Sequence, residues 1–254
     1  MLNFSVVVPF YNSEIWLSSL EESFSDNAAF IGEVIIVDDC SRPSSYKILR
    51  EFCKKNGFRV LRTFQNGGPS AARNLGASEA LFEYVAFHDV DDMWVPERLA
   101  RINAFLSENS QVHFLVNDYV ESLQGLDHSV CSLEKINKFR LIVKNYIQPS
   151  CLVVKKDSLF FFNEKFRYSE DFCYQLSILK SGIDLYRISA PLTILGRPQG
   201  SVGGLSGDLV RMRIGEIAAY REFCGVKLIW LFPFLLSWSI TKFVVKGVKG
   251  CLVK

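Results

Sequence analysis

Three carboxylates fall within four residues at Asp89-Val90-Asp91-Asp92, directly after the apolar run Tyr84-Val85-Ala86-Phe87 and His88. The run reads as a short buried strand, so the acids sit where that strand leaves its sheet. Alternate residues of an extended chain point to opposite sides, which groups Asp89 with Asp91 and turns Asp92 away. Two carboxylates aimed at one point repel unless a proton or a cation lies between them. A hard divalent cation suits such a pair. Mg2+ or Mn2+ takes one or two carboxylates and completes its shell with phosphate oxygens and water. An acidic turn capping a helix from Pro96 would use the same residues. A second acidic pair, Glu170-Asp171, opens a predicted helix running to Lys180, with Ser169 as its cap and negative charge in the favourable first turn.

The elements that position these acids can be read in chain order. Phe4–Phe10 is a run of β-branched and aromatic residues, a buried strand. Ser13 is the expected cap of a helix through about Phe24. Residues 33–37 form a second buried strand that ends in Asp38-Asp39. A helix over 44–55 stops at Gly57, a third strand covers 59–63, and the turn Asn66-Gly67-Gly68-Pro69 leads into a helix over 70–80. The fourth strand delivers the acidic cluster. This alternation with short links implies a mostly parallel sheet covered on both faces, with ligands beyond the carboxyl ends of its strands. Those ends carry Pro9-Phe10-Tyr11-Asn12, Asp38-Asp39 and Asp89-Val90-Asp91. They converge on one crevice.

Further along, a helix is expected over 96–107, a strand over 112–116, a loop over 119–132 and a strand over 150–155. Phe160-Phe161-Phe162 is expected to pack beneath the site. Strands near 185–188 and 192–195 precede a glycine-rich stretch, 197–204, that reads as a mobile lid or a plain linker. A helix from Asp208 to about Phe223 follows.

Of the 254 residues, 49% are hydrophobic and 22% charged, as in a globular chain with room for a substantial core. From Lys227 onward there are five lysines and no acid; setting them apart from the formal +2 leaves residues 1–226 at −3. The main body has no basic surplus, and no nucleic-acid partner is expected. The seven cysteines are irregularly spaced without a Cys-x-x-Cys pair, which argues against a disulfide framework or zinc site and for a reducing compartment. No basic segment precedes the first apolar run, so no signal peptide is expected. Residues 228–241 are uncharged and mostly apolar, interrupted by Pro233, and too short for the roughly 20 residues of a bilayer span. Lys242, Lys246 and Lys249 then share a helical face. An aromatic apolar stretch followed by lysines suits an in-plane anchor on anionic lipid, or a helix packed on the domain.

The ordered set Val6-Val7-Val8-Pro9-Phe10-Tyr11-Asn12, Ile35-Ile36-Val37-Asp38-Asp39-Cys40-Ser41, Asn66 to Gly76, Phe87 to Asp92 and Glu170-Asp171 resembles the family 2 glycosyltransferases. The likeness is specific over residues 4–100, looser over 101–171 and slight beyond 205. It implies a GT-A fold: a Rossmann-like, mostly parallel sheet with helices on both faces over residues 1–205. Within that, 1–118 would be the nucleotide-sugar half and 119–205 the acceptor half, with a helical membrane-associating tail over 206–254. It further implies an inverting transfer from a nucleotide-diphosphate sugar, a UDP-sugar expected, to a glycan or polyprenyl-linked saccharide of a bacterial surface polysaccharide. Asp39 would accept the imide N–H of uracil, Pro9 and Tyr11 would floor the base and ribose, and Arg73 would reach the nucleotide. Asp89 and Asp91 would place ribose and metal, Asp91 as direct ligand to Mn2+ or Mg2+. Asp171 would be the general base, and Arg197 and Ser201 would grip the diphosphate. The family often has a His near 197–201, absent here, which leaves open whether a third protein ligand holds the metal. The place implied is cytoplasmic, on the inner membrane face.

Other classes fit less well. A sugar nucleotidyltransferase would carry a glycine-rich phosphate loop after its first strand, where this chain has Pro-Phe-Tyr-Asn, and a dinucleotide oxidoreductase would carry G-x-G-x-x-G. A catalytically inactive sugar-nucleotide-binding or membrane scaffold is the alternative outside the enzymes.

Overall fold

Consecutive β-branched and aromatic residues make β1 (Phe4–Phe10) and β2 (Ile31–Asp38) strands that are buried through most of their length. In the computed structural model, residues 2–122, 131–197 and 207–252 are described, the last ten by their backbone alone. β1 lies between β2 and β4 (Tyr84–Phe87), and β2 lies beside β3 (Arg59–Arg62), all parallel. The crossovers are α1 (Leu17–Ser25), α2 (Pro43–Asn56) and α3 (Gly68–Ser78). The ladder continues one residue past the strands: Asp39 N–H donates to Phe10 O at 2.8 Å and His88 N–H to Val7 O at 3.0 Å. The backbone leading into each acidic end is therefore fixed by its neighbour.

The mostly parallel sheet expected from the sequence is corrected to a mixed one. After β4 come β5 (Met93–Trp94), α4 (Arg98–Glu108), β6 (Phe114–Val120), β7 (Leu133–Lys135), α5 (Lys138–Val143), β8 (Leu152–Lys155), α6 (Glu170–Ser181) and β9 (Leu185–Ile194). The strand order is β3-β2-β1-β4-β8-β6-β9-β5, with β7 also on β9. β8 runs antiparallel to both β4 and β6, and β9 is parallel to β6 but antiparallel to β5 and β7. Regular strand–helix alternation lapses after β4, since β5 follows it with no helix between, and β8 enters the sheet between β4 and β6 against the direction of both. The strands expected at 185–188 and 192–195 are one, β9, whose pairing with β6 shifts register near Asp118. Residues 119–132, expected as a loop, begin with the end of β6; 123–130 lie outside the described residues.

Alternation along β1 divides the core. Phe4, Val6, Val8 and Phe10 face α1, α2 and α4, and Val7 faces α3 and α6 across the other side. Gly76 lets α3 approach closely: a Cβ there would lie 2.4 Å from Val7 Cγ1.

A third apolar cluster joins α6 to α7 (Leu209–Cys224) and α8 (Phe232–Leu252) through Phe172, Leu176, Tyr220, Phe223 and Leu235. Asp208 caps α7, accepting from Arg211 N–H at 2.9 Å. Pro233 does not interrupt the tail. It sits in the first turn of α8, where a missing N–H costs nothing. No helix among the described residues is long and apolar enough to cross a membrane. Ile229 and Trp230 in the link between the two helices, and Phe234, Trp238 and Ile240 on α8, are nonetheless exposed, Trp230 by 64% and Phe234 by 68%.

Candidate active site

Pro9, Tyr11, Asp39, Arg73, Asp89, Asp91, Asp171 and Arg197 all line one cleft of about 1190 Å3 beyond the carboxyl ends of β1, β2 and β4. Ser201, the remaining candidate, lies outside the described residues, as does most of the glycine-rich stretch. The turns that shape the cleft carry unusual backbone. Asn12, Cys40 and Ser169, each beside a lining residue, have φ of 47°, 60° and 57°. Such values are uncommon outside glycine and persist where surrounding contacts hold them. Ser13 and Ser169 are not caps. Ser13 Oγ donates to Tyr11 O at 2.8 Å and Ser169 Oγ to Met212 O at 3.0 Å, because the left-handed turn at 169 aims that side chain at α7 instead of its own helix.

The acidic turn is built around Ser150. Asp89 N–H donates to Ser150 Oγ at 2.8 Å, and that hydroxyl donates to Asp92 Oδ2 at 2.5 Å. Gly196 N–H donates to Asp92 Oδ1 at 3.1 Å, and Trp94 Nε1 fixes Ser150 from behind through its carbonyl at 2.8 Å. Asp92 is thus turned inward, as the alternation predicts, and is buried. Its pKa is pushed up to about 8 by burial first and then by the charge of Asp89. Gly196 is packed so closely on the turn that a Cβ would lie 1.5 Å from Asp91 O. His88 points away, buried between Phe24 and Trp94 and paired with Ser23 Oγ at 3.1 Å. Burial, and then the Arg98 charge, pull its pKa down to about 3, so it is neutral.

Asp89 accepts from Arg73 Nη2 at 2.6 Å, and Asp91 from Arg197 Nε at 2.6 Å. Arg73 lines the cleft from beneath. It is only 3% exposed and bridges Asp89 and Glu170, the latter at 3.2 Å, with its guanidinium 5.3 Å from the ring centre of buried Phe162. Both carboxylates hold its pKa above the ordinary arginine value despite burial. Asp39 is also committed in part: its oxygens accept Gly67 N–H at 2.9 Å, Gly68 N–H at 2.7 Å and Thr63 Oγ1 at 3.0 Å. It closes the turn at the start of α3 while facing the cleft. Tyr11 is half exposed at the cleft wall.

Glu170 and Asp171 diverge. Glu170 turns to Arg73, and Asp171 accepts from Asn145 Nδ2 at 2.6 Å and from its neighbour Phe172 N–H at 2.7 Å. Burial raises the Asp171 pKa to about 7, helped by the Glu170 charge and opposed by those hydrogen bonds. A carboxylate so placed can take a proton near neutral pH.

Among the described residues, no three His, Cys, Asp or Glu side chains form a metal cage. The donor set still fits a divalent cation held largely by ligand oxygens. Asp91 is pushed above the ordinary carboxylate range by burial and by Asp89, and a cation relieves both. Asn145, Ser150, Gly196 and the pairing of Asp91 with Arg197 were not foreseen, since each contact joins residues 26 or more apart in sequence.

The mixed α/β sheet thus places an acidic cleft at the carboxyl ends of its first strands. The model of glycosyl transferase family 2 matches residues 5–159. The chain belongs to glycosyl transferase family 2, a family of glycosyltransferase enzymes. It is 29% identical over 197 residues to the poly(ribitol-phosphate) β-N-acetylglucosaminyltransferase TarS of Staphylococcus aureus, covering 74% of this chain and 34% of that protein. To the putative teichuronic acid biosynthesis glycosyltransferase TuaG of Bacillus subtilis it is 29% identical over 188 residues, 72% of this chain and 74% of that one. An uncharacterised glycosyltransferase of Haemophilus influenzae is 26% identical over 198 residues, and the chain spans 66% of its length. In three dimensions it is similar to residues 1–349 of S. aureus TarS in complex with UDP-GlcNAc, with a TM-score of 0.66 at 20% identity over 94% of this chain and 72% of that one. The mannosyltransferase PcManGT of Pyrobaculum calidifontis, in complex with GDP-Man and Mn2+, gives a TM-score of 0.66 at 14% identity over 99% of this chain and 80% of that one. The fold is that of the GT-A glycosyltransferases.

Proposed function

We propose that this chain transfers a sugar, with inversion, from a nucleotide-diphosphate donor to a hydroxyl of a glycan or lipid-linked saccharide in bacterial surface polysaccharide synthesis. The observation that carries the reading is the single cleft in which Asp39, Asp89, Asp91 and Asp171 meet. Residues 1–205 are taken as the transferase domain and 206–254 as its tail. UDP is the favoured nucleotide: a carboxylate at Asp39 can accept an imide N–H, and a relative acting on poly(ribitol-phosphate) has been crystallised with UDP-GlcNAc. Pro9 and Tyr11 floor the base and ribose.

Asp91, with Asp89, would hold Mn2+ or Mg2+, which supplies charge stabilisation to the departing diphosphate. Asp171 takes the proton of the acceptor hydroxyl as its oxygen attacks the anomeric carbon opposite the diphosphate. The carbon–oxygen bond to the diphosphate breaks as the new one forms, so a single displacement inverts the centre and needs no enzyme nucleophile. Arg73 keeps Asp89 and Glu170 from repelling each other, and Arg197, with Ser201, receives the diphosphate. The exposed aromatic residues of the tail, followed by lysines, support a peripheral position on an anionic membrane. The reading is tested by UDP release from a panel of UDP-sugars, comparing the natural chain with Asp171→Asn. A loss of about a hundred-fold or more with UDP affinity retained is expected for a missing general base. Equal turnover in the two would remove Asp171 as the base, and nucleotide binding without turnover in the natural chain would leave a sugar-nucleotide-binding scaffold.

A further inference from the structure

Behind the acidic turn lies a buried polar layer with no face in the cleft: Arg98 of α4, Asn117 of β6 and Thr193 of β9. The Arg98 guanidinium lies 4.2 Å from the ring centre of Trp94. Among the described residues its Nη1 and Nη2 have no hydrogen-bond partner, and its side chain is held by one bond, Nε donating to Asn117 Oδ1 at 3.0 Å. An arginine can only donate. The Asn117 carbonyl must therefore face it, which turns the amide nitrogen the other way, donating to Thr193 Oγ1 at 3.0 Å and to Asp118 O at 2.7 Å. Having accepted there, the Thr193 hydroxyl donates onward to Ser150 O at 3.3 Å, beside the bond from Trp94 Nε1 to the same carbonyl. Every bond in the series runs one way, from Arg98 to Ser150.

We infer that Arg98, Asn117 and Thr193 are positioning residues, whose one-way series of hydrogen bonds sets the rotation of Ser150 and, through it, the acidic turn at 89–92. The inference deepens the transferase reading and rests on it for its consequence in donor binding. Ser150 lies beyond the ladder of β8, whose pairing ends at Leu152, so the sheet does not hold it. Its carbonyl is held by Thr193 and Trp94, and its hydroxyl accepts Asp89 N–H and donates to Asp92. One residue thus joins the buried layer to the turn. The pairing of β6 with β9 is shifted to bring the layer together. Asn117 lies opposite Ile188, but Tyr119 lies opposite Thr193 and not Ala190. Such shifts re-aim side chains, and this one carries the Thr193 hydroxyl to Asn117. A buried arginine without a facing carboxylate is costly, and a series that depends on its donor accounts for its place there.

The test compares the natural full chain with Thr193→Val, Ser150→Ala and the double variant, reading amide hydrogen exchange at Asp89 by NMR and UDP affinity in Mn2+ by calorimetry. Thr193→Val keeps the shape and removes the hydroxyl. It is expected to speed exchange at Asp89 by at least about five-fold, with the amides of β1 and β2 unchanged, and to weaken UDP–Mn2+ binding by a similar factor. Thr193→Ser, which keeps the hydroxyl, is expected to restore most of both. Because Thr193 acts through Ser150, the double variant is expected to bind no more weakly than Ser150→Ala alone. Unchanged exchange at Asp89, faster exchange spread evenly through the sheet, or losses that add in the double variant would each overturn the inference. If Thr193→Val fails to fold, Asn117→Asp is read in the same cycle: it gives Arg98 a counter-charge but takes the donor from Thr193. Failure of the natural chain to bind UDP is a separate result that would remove the transferase reading, and exchange at Asp89 would still decide whether the series holds the turn.

Discussion

Asp171 stands between opposing influences, and its protonation is where they can be measured. Burial and Glu170 favour the neutral acid, whereas Asn145 and the Phe172 N–H favour the carboxylate, leaving its pKa near 7. As a base it works only when ionised. We therefore expect kcat/KM to be flat above about pH 7 and to fall about ten-fold per unit below it. Asn145→Leu removes a bond to the charged form, so the limb should move to higher pH; a limb that stays in place would contradict the role of Asn145. Arg73→Met leaves Asp89 and Glu170 facing each other unpaired. It should cost about 3–5 kcal/mol in urea unfolding, with Arg73→Lys recovering only part. The carboxylates were legible in the sequence because each lies at a strand end or a helix start. The inward turn of Arg73 was not, because Glu170, 97 residues away, decides it.

At the scale of elements, the first four strands follow from runs of β-branched residues punctuated by glycine and asparagine turns. The antiparallel half was hidden, since short apolar runs do not state their direction and the helices after β4 link strands that are not laid side by side in parallel. Ser13 and Ser169 sit where caps belong, yet both hydroxyls serve neighbouring chain instead. Two glycines test how closely elements must approach. Gly76→Ala forces a methyl against Val7 in a filled core and should cost about 1–3 kcal/mol, lowering Tm by roughly 2–4 °C for each kcal/mol. Gly196→Ala collides with backbone at Asp91, which cannot give way as a side chain can. Its signature should be weakened UDP–Mn2+ binding, by about ten-fold or more, since it displaces the acidic turn. Nucleotide affinity equal to that of the natural chain would show that the turn tolerates displacement.

For the whole molecule, one cleft spans the sheet ends and the C-terminal helices, so the tail is part of the cleft wall as well as an exposed surface. The sequence showed its aromatic residues and lysines but not its contact with the loop at 143–145, which depends on α8 folding back over α5. If the exposed face meets anionic lipid, the chain should sediment with phosphatidylglycerol vesicles but not with phosphatidylcholine vesicles. Roughly 0.5 M salt should release much of it by screening, and Trp230→Ala with Phe234→Ala should weaken what remains. Equal retention on neutral vesicles would place the attraction elsewhere. The central claim is reached most directly by calorimetric titration of UDP, GDP and CMP with and without Mn2+, on the natural chain and on Asp91→Ala. The account predicts UDP binding that strengthens with Mn2+ and loses that dependence in the variant. A folded chain that binds none of the three nucleotides would contradict it.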